Sequence, residues 1–218
     1  MFSYSLLGIV LWTALLVPSY AWGNLERYVF LLGGWQTASF DLVEEDTAIA
    51  PDPSADGGSV HLGLGFNVAS SPKSKPGNRA LMGLELEGGY VFSDEKVGRV
   101  VSRGGDDVAQ TTRYRYGYDA AVMGRAGAEL GPLMIYAKGG YGWVQLENTG
   151  RLGGKDDALI HGPRFGGGIE FDLAGTALFM RVDYSYVSFD KGGRFATTQA
   201  VIDSGKAHMI RVGVTQPF

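Results

Sequence analysis

The sequence predicts an all-β fold: an eight-stranded, antiparallel, up-and-down β-barrel that crosses a membrane. Three observations carry this. Between Arg113 and Glu129 two chemistries alternate residue by residue: Tyr114, Tyr116, Tyr118, Ala120, Val122, Gly124, Ala126 and Ala128 share one face. Arg113, Arg115, Asp119, Arg125 and Glu129 sit on the other, spaced by small residues. A period of two sends successive side chains to opposite faces of a strand. A polar face of small residues and isolated charges reads as a cramped interior, which turns the smooth face to lipid. Next, no apolar run after residue 21 approaches the length of a membrane helix. A closed barrel is the other structure that satisfies every backbone group in hydrocarbon. Finally, the connections between strand-like segments alternate in length, the habit of a transmembrane barrel with short turns inside and long loops outside.

The segments follow in order. The first, 27–40, is greasy on both faces, with Tyr28, Phe30 and Leu32 on one and Val29, Leu31 and Trp35 on the other, so its orientation stays open. The second, 58–68, turns Val60, Leu62, Leu64 and Phe66 outward and Ser59, His61 and Asn67 inward. The third, 79–92, turns Met82, Leu84, Leu86, Tyr90 and Phe92 outward and Glu85 and Glu87 inward. The fourth, 112–129, is the alternating stretch above, and Leu130-Gly131-Pro132 closes it with a tight turn. In the fifth, 133–147, Leu133, Ile135, Tyr141 and Trp143 oppose Lys138. In the sixth, 162–172, Phe165, Ile169 and Phe171 oppose Arg164, Glu170 and Asp172. The seventh, 177–189, presents Leu178, Met180, Val182, Tyr184 and Tyr186 outward and Arg181 and Asp183 inward. The eighth, 206–218, presents Ile210, Val212, Val214 and Phe218 outward and Arg211 inward. Long loops are expected at 41–57, 93–111, 148–161 and 190–205.

Two transverse features follow from strand height. Tyr90, Phe92, Tyr114, Tyr116, Tyr141, Trp143, Phe165, Tyr184 and Tyr186 fall near the long-loop end, where amphipathic rings would form a girdle at headgroup depth. Inside, Glu85, Glu87, Arg125, Lys138, Glu170, Arg181, Asp183 and Arg211 are expected to form a layer of ion pairs across the lumen. Counting back from Gly131-Pro132 sets Arg125 opposite Lys138. Like charges so placed repel, so Glu85 or Glu87 must reach between them. Inward glycines, among them Gly63, Gly65, Gly140, Gly142, Gly166 and Gly168, leave local room. An eight-stranded barrel has a bore that side chains fill, so a wide pore is not expected.

Composition narrows the classes. The 218 residues fit one domain, and a net charge of -4 gives no basic footprint for nucleic acid. The absence of cysteine excludes disulfides and a lipidated N-terminal cysteine. Residues 1–21 read as a signal peptide with an apolar core at 6–17, cleaved after Ala21 or Gly23, leaving 22–218 as the barrel domain.

Val122-Met123-Gly124-Arg125-Ala126-Gly127, followed by Tyr136-Ala137-Lys138-Gly139-Gly140-Tyr141, resembles the fourth and fifth strands of small outer-membrane β-barrel proteins. These are the opacity-type and OmpA-like group, often labelled porin family. Phe165-Gly166-Gly167-Gly168-Ile169-Glu170-Phe171 and Arg181-Val182-Asp183-Tyr184-Ser185-Tyr186 look like its sixth and seventh strands. Ile210, Val212, Val214 and terminal Phe218 resemble the signal read by the barrel-assembly machinery, with Gln216 and Pro217 as departures. The resemblance implies the outer membrane of a Gram-negative bacterium, with lipopolysaccharide and the assembly machinery as partners.

For function, the expectation is a structural or surface-interaction role carried by the outer loops, with a host or surface ligand as the candidate partner, in the manner of a surface antigen. Porin-like transport of small solutes is the alternative, and a lipid A-modifying enzyme is third. Catalysis is not expected. Ser59 and His61 share an inward face away from lipid, and His161 and His208 lie near loop bases without a nucleophile and acid around them. No phosphate loop and no histidine-based metal spacing stand in the sequence, so no cofactor or metal is expected. The first long loop holds Asp41, Glu44, Glu45, Asp46, Asp52 and Asp56 and is read as a solvated acidic loop.

Overall fold

The computed structural model describes residues 25–43, 54–70, 78–93, 95–103, 106–149, 155–174, 176–190 and 201–218. The expected signal peptide and the centres of the four long loops lie outside these residues. The described strands are β1 Leu25–Val43, β2 Ser54–Ala69, β3 Arg79–Ser93, β4 Glu95–Arg103, β5 Asp106–Leu130, β6 Leu133–Thr149, β7 Lys155–Asp172, β8 Phe179–Phe189 and β9 Val201–Pro217. Each pairs antiparallel with its neighbours in the order β3-β2-β1-β9-β8-β7-β6-β5, and β5 returns to β3 to close the tube. Eight strands thus form the wall, and none of the eight is left with a free edge along its length in the membrane. Among the described residues no helix is long and apolar enough to cross a membrane.

β4 departs from the expectation of a long loop at 93–111. It pairs with β5 from Glu95↔Tyr114 to Arg103↔Asp106, forming a hairpin above the wall. The other expected loops also begin as strand: β1 pairs with β9 up to Val43↔Val201, and β6 with β7 up to Thr149↔Lys155. A tilted strand needs only about 9–11 residues to cross hydrocarbon, and β5 has 25. The wall therefore continues well past the lipid band at the long-loop end.

The first strand's orientation is decided by its neighbour. Tyr28, Phe30 and Leu32 are buried in the lumen, while Val29, Leu31 and Trp35 face outward. Phe30 pairs with Gly63 and Tyr28 with Gly65 on β2. A Cβ built at either glycine would run into the ring beside it, so the missing side chains are what admit two aromatics to a narrow bore. Tyr136 on β6 uses Gly168 on β7 in the same way. At Gly63, Gly65 and Gly168 the room that glycine leaves is filled by rings.

The outward face carries Leu62, Met82, Leu84, Val122, Ile135, Phe165, Ile210 and Val212, all exposed. The girdle gains an edge-to-face contact between Tyr90 and Phe92 at 5.1 Å and another between Tyr141 and Trp143 at 5.4 Å. One expectation is overturned. Tyr116 is fully buried in the lumen and is not part of the girdle. The β5–β6 register shifts between Tyr116 and Asp119, so Tyr116 opposes Leu146 while Asp119 opposes Val144. This bulge flips the phase of β5 above it. Tyr118, exposed, meets Tyr90 at 5.2 Å instead. The side chain of Tyr114 lies outside those described.

Two outcomes check the wall. Spin labels at positions 84, 122 and 212 will show strong broadening by oxygen and little by a water-soluble nickel chelate in liposomes. Gly65→Ala will lower stability by about 1–3 kcal/mol in urea titrations in micelles, because the added methyl over-packs against Tyr28. Gly88→Ala, with open space around its Cβ position, will leave the midpoint unchanged.

Candidate functional site

The lumen is the site that this fold builds, and it is stacked in four levels. At the short-turn end Arg79 bridges Glu26 at 2.8 Å and Glu129. A cavity of about 400 Å³ opens here, lined in part by Leu25, Leu133, Met134, Phe179 and Phe218.

The second level is centred on Glu85. Arg181 donates to both of its oxygens, at 2.9 and 3.0 Å. Arg125 donates to Glu85 Oε1 at 3.0 Å and to Glu170 Oε1 at 2.9 Å. Arg125 does stand opposite Lys138 in the β5–β6 ladder. Glu85 lies between them, its Oε2 3.9 Å from Lys138 Nζ, and Asp183 Oδ2 comes within 2.6 Å of that same ammonium. Aromatic rings complete the level. Tyr28 Oη donates to Glu85 and Tyr136 Oη to Asp183, each at 2.9 Å. The Arg125 guanidinium lies 3.8 Å from the Tyr136 ring centroid, and that of Arg181 4.4 Å from Phe30. These cation–π contacts hold the two guanidinium planes where fork-shaped donation to carboxylate is possible.

The third level is centred on Glu87. Its Oε1 accepts from Arg164 at 2.6 Å and from Arg211. Arg164 also donates to Asp119 Oδ1 at 2.8 Å, and Arg211 to Asp183 Oδ1 at 2.6 Å. His61 sits here, fully buried, 3.3 Å from Glu87 Oε1. Arg164, Asp119 and His61 face inward as the alternation requires, but the sequence gives no reason to join them to the ion layer. Nothing in it shows that β7 is displaced upward enough to bring Arg164 beside Glu87.

The fourth level is apolar. Phe40, Val91, Leu146, Ile160, Val187 and Phe189 pack with Tyr116 into a buried cluster at the long-loop end. Phe40 meets Phe189 at 5.8 Å and Tyr116 at 6.2 Å. The polar interior that composition implies is therefore capped by a greasy plug. Its signal is visible only in hindsight: strands near the loop bases carry apolar residues in both phases, as strands enclosed on both faces do.

The remaining histidines face outward. His161 Nδ1 is 2.8 Å from Tyr141 Oη, and His208 Nδ1 is 2.9 Å from Tyr184 Oη. Both join the girdle, separated from the lumen by the wall. Among the C-terminal residues, Ile210, Val212, Val214 and Phe218 are exposed on one face, and the Phe218 amide donates to Arg27 O at 3.0 Å.

A closed antiparallel barrel with an apolar outer face and a charge-filled interior is an architecture used by outer-membrane proteins. The family model for the outer membrane protein β-barrel domain matches residues 8–218. The chain belongs to that family. Among curated proteins it is similar to the 25 kDa outer-membrane immunogenic protein of Brucella canis. The two are 24% identical over 201 residues, covering 92% of this chain and 81% of that one. Among solved structures it is similar to Neisserial surface protein A, with a TM-score of 0.52 and 11% identity over 88% of this chain and 97% of that one. That likeness concerns the fold alone. Proteins of this family commonly have short periplasmic turns and longer outer loops.

Glu85→Gln will leave Arg125, Arg181 and Lys138 sharing fewer acids in a dry level. Breaking a buried pair from one side costs about 3–5 kcal/mol. The variant will show a lowered unfolding midpoint in micelles and an earlier loss of the folded band in heat-modifiability gels.

Proposed function

We propose that this protein is a closed scaffold that displays its four outer loops at the cell surface, where they contact molecules outside the cell. The observation that carries the reading is the lumen itself. Two levels of interlocked ion pairs beneath an apolar plug leave the barrel nothing to conduct. A wall that overshoots the lipid band holds the loop bases rigidly clear of the membrane. The name of the Brucella canis relative, an immunogenic outer-membrane protein, agrees with exposure of such loops to a host.

On this reading a leader cleaved after Ala21 or Gly23 delivers the chain to the periplasm. The face bearing Ile210, Val212, Val214 and Phe218 is what the assembly machinery reads, and the girdle meets lipopolysaccharide. Transport and lipid chemistry find less support. The lumen is obstructed at three levels, and His61 and Ser59 are shut inside it, out of reach of an acyl chain.

Planar-bilayer recording of the refolded chain will give a flat baseline with no steady conductance steps; regular steps would overturn the closed-scaffold reading. Exchanging residues 148–161 or 190–205 for those of an unrelated barrel will lower recognition of intact cells by antisera raised against the folded protein. The β-barrel and its heat-modifiable mobility will survive the exchange.

A further inference from the structure

The cavity at the short-turn end of the lumen holds polar groups that the barrel does not satisfy. Asn67 on β2 and Thr215 on β9 both line it, and both are buried, at 4% and 3% exposure. Neither Asn67 Oδ1 nor Thr215 Oγ1 has a hydrogen-bond partner. Gly83 fixes where the amide oxygen lies, since a Cβ there would stand 2.6 Å from it. A buried polar atom without a partner is costly. Two on the wall of one cavity call for a partner that comes from outside the wall.

The rim sets the charge of that partner. Glu26, Glu129 and Asp172 bring three carboxylates to the mouth, against the guanidinium groups of Arg27 and Arg79. Glu170 is held by Arg125 in the level above. One acid is therefore in surplus. Asp172 is exposed and makes no ion pair among the described residues. Between the rim and the buried pair, Leu25, Leu81, Leu133 and Phe179 make apolar walls. A surplus carboxylate, apolar walls and two unpartnered polar atoms together fit a protonated amine on an aromatic body that has an N–H of its own.

The chain carries such a group. β1 begins at Leu25, on the edge of the cavity. Only Trp22, Gly23 and Asn24 separate it from the proposed cleavage after Ala21. Three extended residues reach roughly 10 Å. Cleavage there makes Trp22 the first residue and puts an α-ammonium and an indole N–H side by side. So short a tether presents them to the cavity at a high effective concentration.

We infer that the first residue of the mature chain, Trp22, docks in the short-turn cavity. Its ammonium meets the surplus carboxylate beside Asp172, and its indole enters between the apolar walls toward Asn67 and Thr215. The inference rests on the proposed cleavage after Ala21 and is independent of the outer loops. It ties closure of the short-turn mouth to processing, because the α-ammonium exists only once the leader has been removed.

The test uses the mature protein purified from outer membranes in detergent. Intact mass reads the first residue separately from the docking. A chain that begins at Trp22 is expected, and one that begins at Asn24 would overturn the inference through its cleavage site. With Trp35→Phe and Trp143→Phe in place, Trp22 is the one tryptophan of the mature chain. Its emission will be blue-shifted, and acrylamide will quench it several-fold less than in the same chain carrying Asp172→Asn and Thr215→Val. A nuclear Overhauser effect between the indole ring and the Thr215 methyl group will report position in a way that contact with detergent does not imitate. A refolded chain that begins at Leu25 will bind tryptamine saturably, whereas the mature chain will not. Quenching of Trp22 equal to that of free tryptophan, quenching unchanged by the paired substitution, or equal behaviour of the two chains toward tryptamine would each overturn the assignment.

Discussion

Glu85 and Glu87 stand two residues apart on one strand, and between them they meet every cation of the central lumen among the described residues. Glu85 holds Arg125, Arg181 and Lys138, and Glu87 holds Lys138, Arg164 and Arg211. Asp119, Glu170 and Asp183 bring the acids to five against five bases. In a medium that screens little, charges must be matched where they stand, and a surplus of either sign would be expensive. The bore, the aromatic rings and the glycine sites are all subordinate to that matching. Rings of Tyr28, Phe30 and Tyr136 fill what the charges leave and hold guanidinium planes in position. Glycines at 63, 65 and 168 let those rings in.

The same matching braces the barrel from within. Side chains that bridge from one wall to the opposite one act as struts. The apolar cluster lies above these struts, and the Arg79 bridges to Glu26 and Glu129 lie below them. On the proposed reading, recognition falls to the segments that the wall carries past its long-loop end.

Most of the wall was legible because a period of two survives from end to end of most strands. Leu84, Val122 and Val212 on one side and Glu85, Arg125 and Arg211 on the other follow from alternation alone. So does the opposition of Arg125 and Lys138, since a tight turn at Gly131-Pro132 fixes the count. Legibility failed where pairing left that rule. The bulge after Tyr116 inverts a phase that no residue type betrays, because tyrosine suits either side. The β4 hairpin and the strand-like loop bases are polar enough to read as loop, and pairing with the neighbouring strand is what makes them strand. The upper ion level was hidden for a different reason: which inward residues share a height depends on the stagger between strands.

The distribution of the charges along the chain also constrains assembly. The paired acids lie early, on β3, whereas four of their five bases lie on β6 to β9. An open sheet of the first few strands would carry two naked carboxylates, and one of the last few a surplus of guanidinium groups. Neither half is tolerable in hydrocarbon by itself. Neutralisation is therefore complete only when the β3–β5 seam shuts and opposite walls come within reach.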